Sequence, residues 1–525
     1  MNTPALHCTA FLLAAVLAGA FPTSAAFAAG AADAPACTPA EVASVPIRFV
    51  GGDLAPAIGG AINGRPATML VDTGAFMINL TMNGANRHGL TPLPTQRRAH
   101  GVGGISEVYV AEVRDFAVGP ARAARRQELD IIAESNVTPA FDAIVGAPFL
   151  LQMDLEFDLG AKRMRFLQAR DCGEAPLALW KEDAIVVPFE GGVGRSPKVH
   201  FSVLVNGQKL DAIIDTGASR TVMSRAAAKR AGVDVEAPDA AANVRRLGVA
   251  VGIGPDRAPY WGATFKTIAI GSETIHDPDL GIVDARSDVG ADLLLGRDYL
   301  LTHRVMFAMG QRKLYIAPLG GDTFHPGSGL APWIRSEAEQ GNPDVQYALS
   351  LMYRDGRGVP RDPAQARAWL DKAAAGGEPH AGLQVGRQLV RAGRLDDGIR
   401  AMRAALDQLP ADRTGPLWLY LARVRNGVPG LGKRELEDSL ALQGKQDWPR
   451  PIADFYLGKL DEAGLRAAAA KEASTARSRG CQAETYMAEW HGARGDAARA
   501  DALKASARTH CTTPASAATN KETPT

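Results

Sequence analysis

Apolar positions along this chain follow three successive patterns. Ala10 to Phe21 is one apolar run of about twelve residues, too short to cross a bilayer as a helix. From Val45 to Pro318 the apolar residues come in short bursts bounded by Gly, Asn, Asp and Pro, a pattern that predicts strands and tight turns. Thr68–Val71, the alternating Val108, Val110 and Val113, Ala143–Gly146 and Leu293–Gly296 are the clearest of these bursts. From Ile334 the spacing turns helical and rich in alanine. The chain therefore reads as a mostly-β part followed by an all-α part, with several domains in its 525 residues.

The β part is written twice. Leu70-Val71-Asp72-Thr73-Gly74-Ala75 is repeated as Ile213-Ile214-Asp215-Thr216-Gly217-Ala218. The flanks repeat with it. Asn63-Gly64 and Asn206-Gly207, the strongest short-range hairpin signal, sit nine and eight residues before their aspartates. Gly89 and Gly232 each follow the aspartate by seventeen residues. Phe157 and Gly160 lie eleven and fourteen residues after Gly146, as Phe307 and Gly310 do after Gly296. A lone Asp-Thr-Gly reads as a turn; matched offsets on both sides make this a duplication. The halves differ where the second glycine-rich hairpin belongs, around Gly248, Gly252 and Gly254. The first such hairpin is at Gly101-Val102-Gly103-Gly104, and Tyr109 and Tyr260 or Trp261 are the candidates for the hairpin tips.

The expected organisation is a signal peptide over 1–28, a first half over 37–172, a second over 180–319, a linker over 320–333, helical repeats over 334–511 and a disordered tail over 512–525. The leader ends in Ala26-Phe27-Ala28, the small-x-small form of a signal peptidase site, although no Lys or Arg precedes its apolar run. Cys8 lies before that run, so no lipid anchor is expected. No later segment is long and apolar enough for a membrane span, and an exported, periplasmic or secreted protein follows. In the α part Gly341, Ala348, Leu349, Tyr353, Gly356, Gly358, Val359, Asp362, Ala366, Trp369, Ala373 and Gly376 are similar to the Sel-one-like class of tetratricopeptide repeats. Later repeats are more degenerate. Trp369, Trp418, Tyr347 and Tyr353 fall at helical spacing and read as repeat core. Gly427 to Lys433 comes close to a phosphate loop, but Arg434 stands where Ser or Thr is required and the context is helical.

Charge removes some classes of function. Lys and Arg number 58 against 57 Asp and Glu, so neither nucleic acid nor an anionic membrane is the expected partner. Without the leader four cysteines remain: Cys37, Cys172, Cys481 and Cys511. Four allow three connectivities. Cys37 and Cys172 bracket the first half, and Cys481 and Cys511 bracket a final helix pair, so we expect those pairings, with four separate thiols as the alternative.

The chemistry is expected at the duplicated turn. Two similar units packed about a pseudo-two-fold axis would bring Asp72 to Asp215, and carboxylates that close share one proton. The ionised member can then deprotonate a water while the protonated one donates to a carbonyl. Thr73 and Thr216 can bond across the axis, and Gly74 and Gly217 permit a sharp bend. Neither His-Glu-x-x-His nor Gly-x-Ser-x-Gly occurs and the ten histidines are scattered, which leaves metal and serine hydrolysis without support; no metal and no cofactor is expected.

Asp-Thr-Gly-Ala twice, each followed by Ile144-Val145-Gly146 or Leu294-Leu295-Gly296, resembles the retropepsin and pepsin aspartic proteases over roughly residues 45 to 318. Leu294 to Leu300 is especially similar to retroviral proteases. The resemblance implies a bilobal β fold, a peptide or protein substrate, Asp72 and Asp215 as the catalytic pair, and Thr73, Gly74, Ala75, Thr216, Gly217 and Ala218 as its supports. Retropepsins dimerise to complete this site; here both halves lie in one chain. Pepsin-like enzymes carry Ser or Thr where Ala75 and Ala218 stand, so an optimum less acidic than pepsin's is expected, because a hydrogen bond to the charged form is lost. Phe76 faces Ser219 in the alignment of the copies, so the substrate-side walls should differ. The helical repeats are expected to recruit a protein partner or substrate. The alternative is an inactive peptide-binding scaffold of the cell envelope.

Overall fold

The computed structural model describes residues 37–123, 126–134, 140–170, 172–180, 183–192, 196–237, 242–285, 290–325, 329–409, 412–443, 448–471 and 475–511. The expected leader at 1–28 and tail at 512–525 lie outside them. The chain divides into two compact units, Met1–Gly376 and Gly377–Thr525.

In the first unit both halves use one construction. Strands Ala55–Ile62 and Arg65–Asp72 form a hairpin, and Ser196–Val205 with Gln208–Ile214 form its copy. The turns between them place Asn63, Gly64, Asn206 and Gly207 at positive φ, the conformation that makes Asn-Gly a hairpin signal. Each hairpin's second strand runs into an Asp-Thr-Gly turn. The short buried strand Ala143–Gly146 then inserts beside it, parallel to Arg65–Asp72 with Gly146 opposite Asp72, and antiparallel to Asn79–Thr81 beyond the turn. Leu293–Leu295 repeats this between Gln208–Ile214 and Val222–Ser224. Both inserted strands are apolar throughout because both of their faces are covered. Wedged between the arms of the turn, each one pushes the aspartate out at its end.

The two halves share a sheet. Ala40–Pro46, Arg163–Gln168 and Asp154–Asp158 from the first meet His303–Ala308, Lys313–Pro318 and Ile185–Gly192 from the second, in that order and all antiparallel. At the seam Leu155 pairs with Phe307, Glu156 with Met306 and Phe157 with Val305. Under the repeat that carries Phe157 onto Phe307, the first and last of these pairs exchange and the middle one maps onto itself. The pseudo-two-fold axis therefore passes between Glu156 and Met306. Glu156, almost fully buried, is bound by Arg165 and by Arg304 from the other half, and together they pull its carboxyl below the usual carboxylate range despite its burial.

Two hairpins, Leu93–Gly101 with Gly104–Val113 and Val244–Ala250 with Ala258–Thr264, project from the halves. Their tips meet: the Asp256 amide donates to the Gly103 carbonyl at 2.8 Å. Neither Tyr109 nor Tyr260 or Trp261 is at a tip. Tyr109 lies opposite Pro94 and Ile131, and Tyr260 opposite Gly248 and Val283, all within strand bodies where aromatic side chains pack well.

Helices Pro332–Glu339, Pro343–Asp355 and Pro363–Ala375 complete the first unit. Asn342 and Asp362 cap the latter two through their side chains, each ahead of a proline in the first turn. Phe324, Ala331, Ile334 and Val345 bury into the same core as the β sheets, and Tyr347, Tyr353 and Trp369 are buried as well.

The second unit holds eight helices among the described residues, from Pro379–Arg391 to Ala497–Cys511, around a core that includes Met402, Leu421, Leu436, Ile452, Leu465 and Met487. Trp418 is buried there against Tyr486. Disulfides join Cys37 to Cys172 and Cys481 to Cys511, each with a Cα–Cα distance of 5.0 Å. No helix among the described residues is long and apolar enough to cross a membrane.

Candidate active site

The two Asp-Thr-Gly turns interlock. Thr73 donates from its amide to Thr216 Oγ1 at 3.0 Å, and Thr216 returns the bond from its amide to Thr73 Oγ1 at 3.1 Å. Each hydroxyl then donates to the carbonyl preceding the opposite aspartate, Thr73 Oγ1 to Ile214 at 2.6 Å and Thr216 Oγ1 to Val71 at 2.8 Å. Both threonines are buried, so these bonds are shielded from water.

That embrace leaves almost no space between the turns. A Cβ on Gly74 would stand 2.5 Å from Asp215 Cγ, and one on Gly217 would stand 2.5 Å from Asp72 Cγ. Only glycine lets each backbone come so close to the other half's carboxylate. The Asp72 and Asp215 carboxyls therefore sit against each other, the arrangement in which a pair shares one proton.

The pair is not symmetric. Asp215 Oδ1 accepts two amides, Gly217 at 2.9 Å and Ala218 at 3.0 Å, whereas Asp72 Oδ1 accepts Gly74 alone at 2.9 Å. Burial, then the Asp215 charge and the bond to it, push the Asp72 carboxyl up to about 8, against the opposing pull of the Gly74 amide and of Lys198. Lys198 is buried, with its Nζ 4.2 Å from the centre of the exposed Phe76 ring. In the duplication Phe76 corresponds to Ser219 and Lys198 to Ala55. One side of the dyad therefore carries an aromatic ring and a cation, and the other carries Ser219 and Ala55.

Behind the turns the halves match in backbone and differ in side chain. The amides of Ala147 and Arg297 bond the carbonyls of Ala75 and Ala218, both at 2.9 Å. The second half adds Asp298, whose burial raises its pKa and whose carboxylate takes the amide and hydroxyl of Thr221 at 2.8 and 2.7 Å. Arg297, 2 % exposed, lies behind the Asp215 turn.

One family model, Aspartyl protease, matches residues 58–149 and matches again over 201–299. The two halves form an aspartyl-protease domain. A Sel1 repeat follows it, matched over residues 343–378. No curated protein matches the chain. In the aspartyl-protease domain the structure brings together every residue singled out at the duplicated turn: Asp72, Thr73, Gly74 and Ala75 with Asp215, Thr216, Gly217 and Ala218. Lys198, Arg297, Asp298 and Asp53 were not singled out for a role. Aligning the copies would have flagged the first three, because Ala55, Ala147 and Pro148 occupy their places in the first half. Asp53 carries the same signal, since Ser196 occupies its place in the second half.

Proposed function

We propose that this chain is an exported aspartic endopeptidase in which Asp72 and Asp215 hydrolyse peptide bonds through an activated water. The observation that carries the reading is the interlocked pair of turns, which holds two carboxyl groups close together with unequal backbone donors. Asp215, with two amides on one oxygen, suits the ionised role and takes a proton from the attacking water. Asp72, whose proton is retained to about pH 8, donates to the substrate carbonyl. The water oxygen adds to the carbonyl carbon to give a neutral tetrahedral diol. A proton passed to the nitrogen then lets the C–N bond break, with no covalent enzyme intermediate.

Exposed apolar side chains border the dyad's turn and occupy the projecting hairpins: Phe76 and Met77 below, Ile105, Leu247, Val249 and Val251 above. They favour an extended peptide with apolar residues around the scissile bond. The disulfides fit an oxidising compartment, and helical repeats commonly present protein-binding surfaces. Cleavage of a peptide library, blocked by a statine-type inhibitor and abolished by Asp72→Asn or Asp215→Asn, is the expected result. Wild-type protein that cleaves nothing between about pH 3 and 8 would refute the reading.

A further inference from the structure

We propose that the first helical repeat is a working part of the hydrolytic unit, acting through Gly52 and Asp53 on Arg297, which holds the turn carrying Asp215. The proposal rests on the endopeptidase reading for its kinetic consequences and on contacts alone for its structural ones.

Arg297 Nη1 donates to the carbonyls of Thr216 at 3.0 Å and Gly217 at 2.7 Å. Those carbonyls belong to the two peptide groups whose other ends, the Gly217 and Ala218 amides, bond Asp215 Oδ1. Each peptide is thus held between a cation at its oxygen and a carboxylate at its N–H. Its dipole is aligned with both charges, so the guanidinium strengthens the donors that favour ionised Asp215. A buried guanidinium needs a counter-charge. Asp53, from the first half, supplies it: its carboxylate bonds Arg297 Nη2, and its carbonyl accepts Nε at 3.3 Å.

Asp53 sits in the short turn 51–54, which is pressed from outside by the helix Pro343–Asp355. A Cβ on Gly52 would meet Leu351 Cδ1 at 1.9 Å and Tyr347 Cε1 at 3.4 Å. The preceding helix is anchored to both halves. Trp333 stacks on Phe49 at 5.5 Å and donates to the Leu301 carbonyl at 2.7 Å, and Glu337 pairs with Lys162 at 2.6 Å. The repeat, the Asp53 turn, Arg297 and the Asp215 turn form one contiguous stack. Among the described residues the Asp72 turn shows no such brace, and Ala147 stands where Arg297 does. The support falls on the aspartate assigned the base.

Asp53 is a positioning residue and its side chain is half exposed, so it can be changed in the full-length protein. In Asp53→Ala we expect kcat to fall about tenfold or more with KM within about twofold, because chemistry rather than binding is lost. We also expect the acid limb of the pH–rate profile to move to higher pH, because ionised Asp215 loses support while its protonated partner Asp72 and Lys198 beyond it are unchanged. The near-isosteric Asp53→Asn should recover part of both effects. Gly52→Val, which keeps Asp53 and displaces Leu351, should shift them in the same direction, whereas Arg367→Ala on the exposed face of the repeat should not. Hydrogen exchange supplies a readout that needs no turnover: the Gly217 and Ala218 amides should exchange about tenfold faster in Asp53→Ala and Gly52→Val, with the shared sheet unchanged. Wild-type kcat, acid limb and amide protection in both variants would overturn the proposal. A wild-type protein without activity but with these exchange differences would sink the endopeptidase reading and leave the brace standing.

Discussion

At the scale of single residues, two carboxyl groups of identical chemistry are set apart by their surroundings. Asp215 receives two amides and the reach of Arg297, and Asp72 receives one amide and the pull of Lys198. A raised Asp72 means that the pair keeps its working proton across neutral pH and loses it only as pH passes about 8. Activity should therefore persist at pH 7 and fall above about 8, and a pH–rate profile centred near pH 3 would contradict this. Lys198 favours the charged form of Asp72, so Lys198→Met should carry that fall to still higher pH, read from the alkaline limb of kcat/KM. The aspartates, threonines and glycines were legible in the sequence because each lies within a few residues of the others and the group is written twice. Lys198 and Arg297 were legible only as mismatches between the two copies, because folding rather than proximity to the aspartates in sequence brings them to the site.

Among elements, the inserted strands explain why the candidate site could be read as one duplicated unit before the fold was known. A short all-apolar run that ends in glycine, placed a fixed distance after the turn, admits few positions other than between the turn's two arms. The projecting hairpins show the opposite case: glycine positions marked them, but the aromatic residues proposed for their tips lie in strand bodies. Aromatics favour the pleated strand, while a tip is decided by turn backbone and by what it touches across the cleft. The cross-bonded threonines make the sharpest prediction at this scale. Thr216→Val keeps the shape but leaves the Thr73 amide and the Val71 carbonyl without their bonds. A loss of about 2 kcal/mol in denaturant unfolding is expected, with a fall in activity. A variant as stable as the wild type would show that the threonines do not hold the halves together.

For the whole molecule, the seam is the feature with the widest reach. Strands Asp154–Asp158 and His303–Ala308 pair within one polypeptide, so the meeting of the two aspartates has no concentration term. A protease assembled from two chains is switched off by dilution, and its halves stay identical because one gene segment encodes both. Here neither restraint applies. Specific activity should be the same at nanomolar as at micromolar protein, and a fall on dilution would contradict an intramolecular site. Freed from self-complementarity, the two walls could diverge into Phe76 with Lys198 on one side and Ser219 with Ala55 on the other. On the proposed endopeptidase reading, a substrate strand lying across such a cleft would meet a different surface at each end, so its N-terminal direction would be distinguished from its C-terminal one.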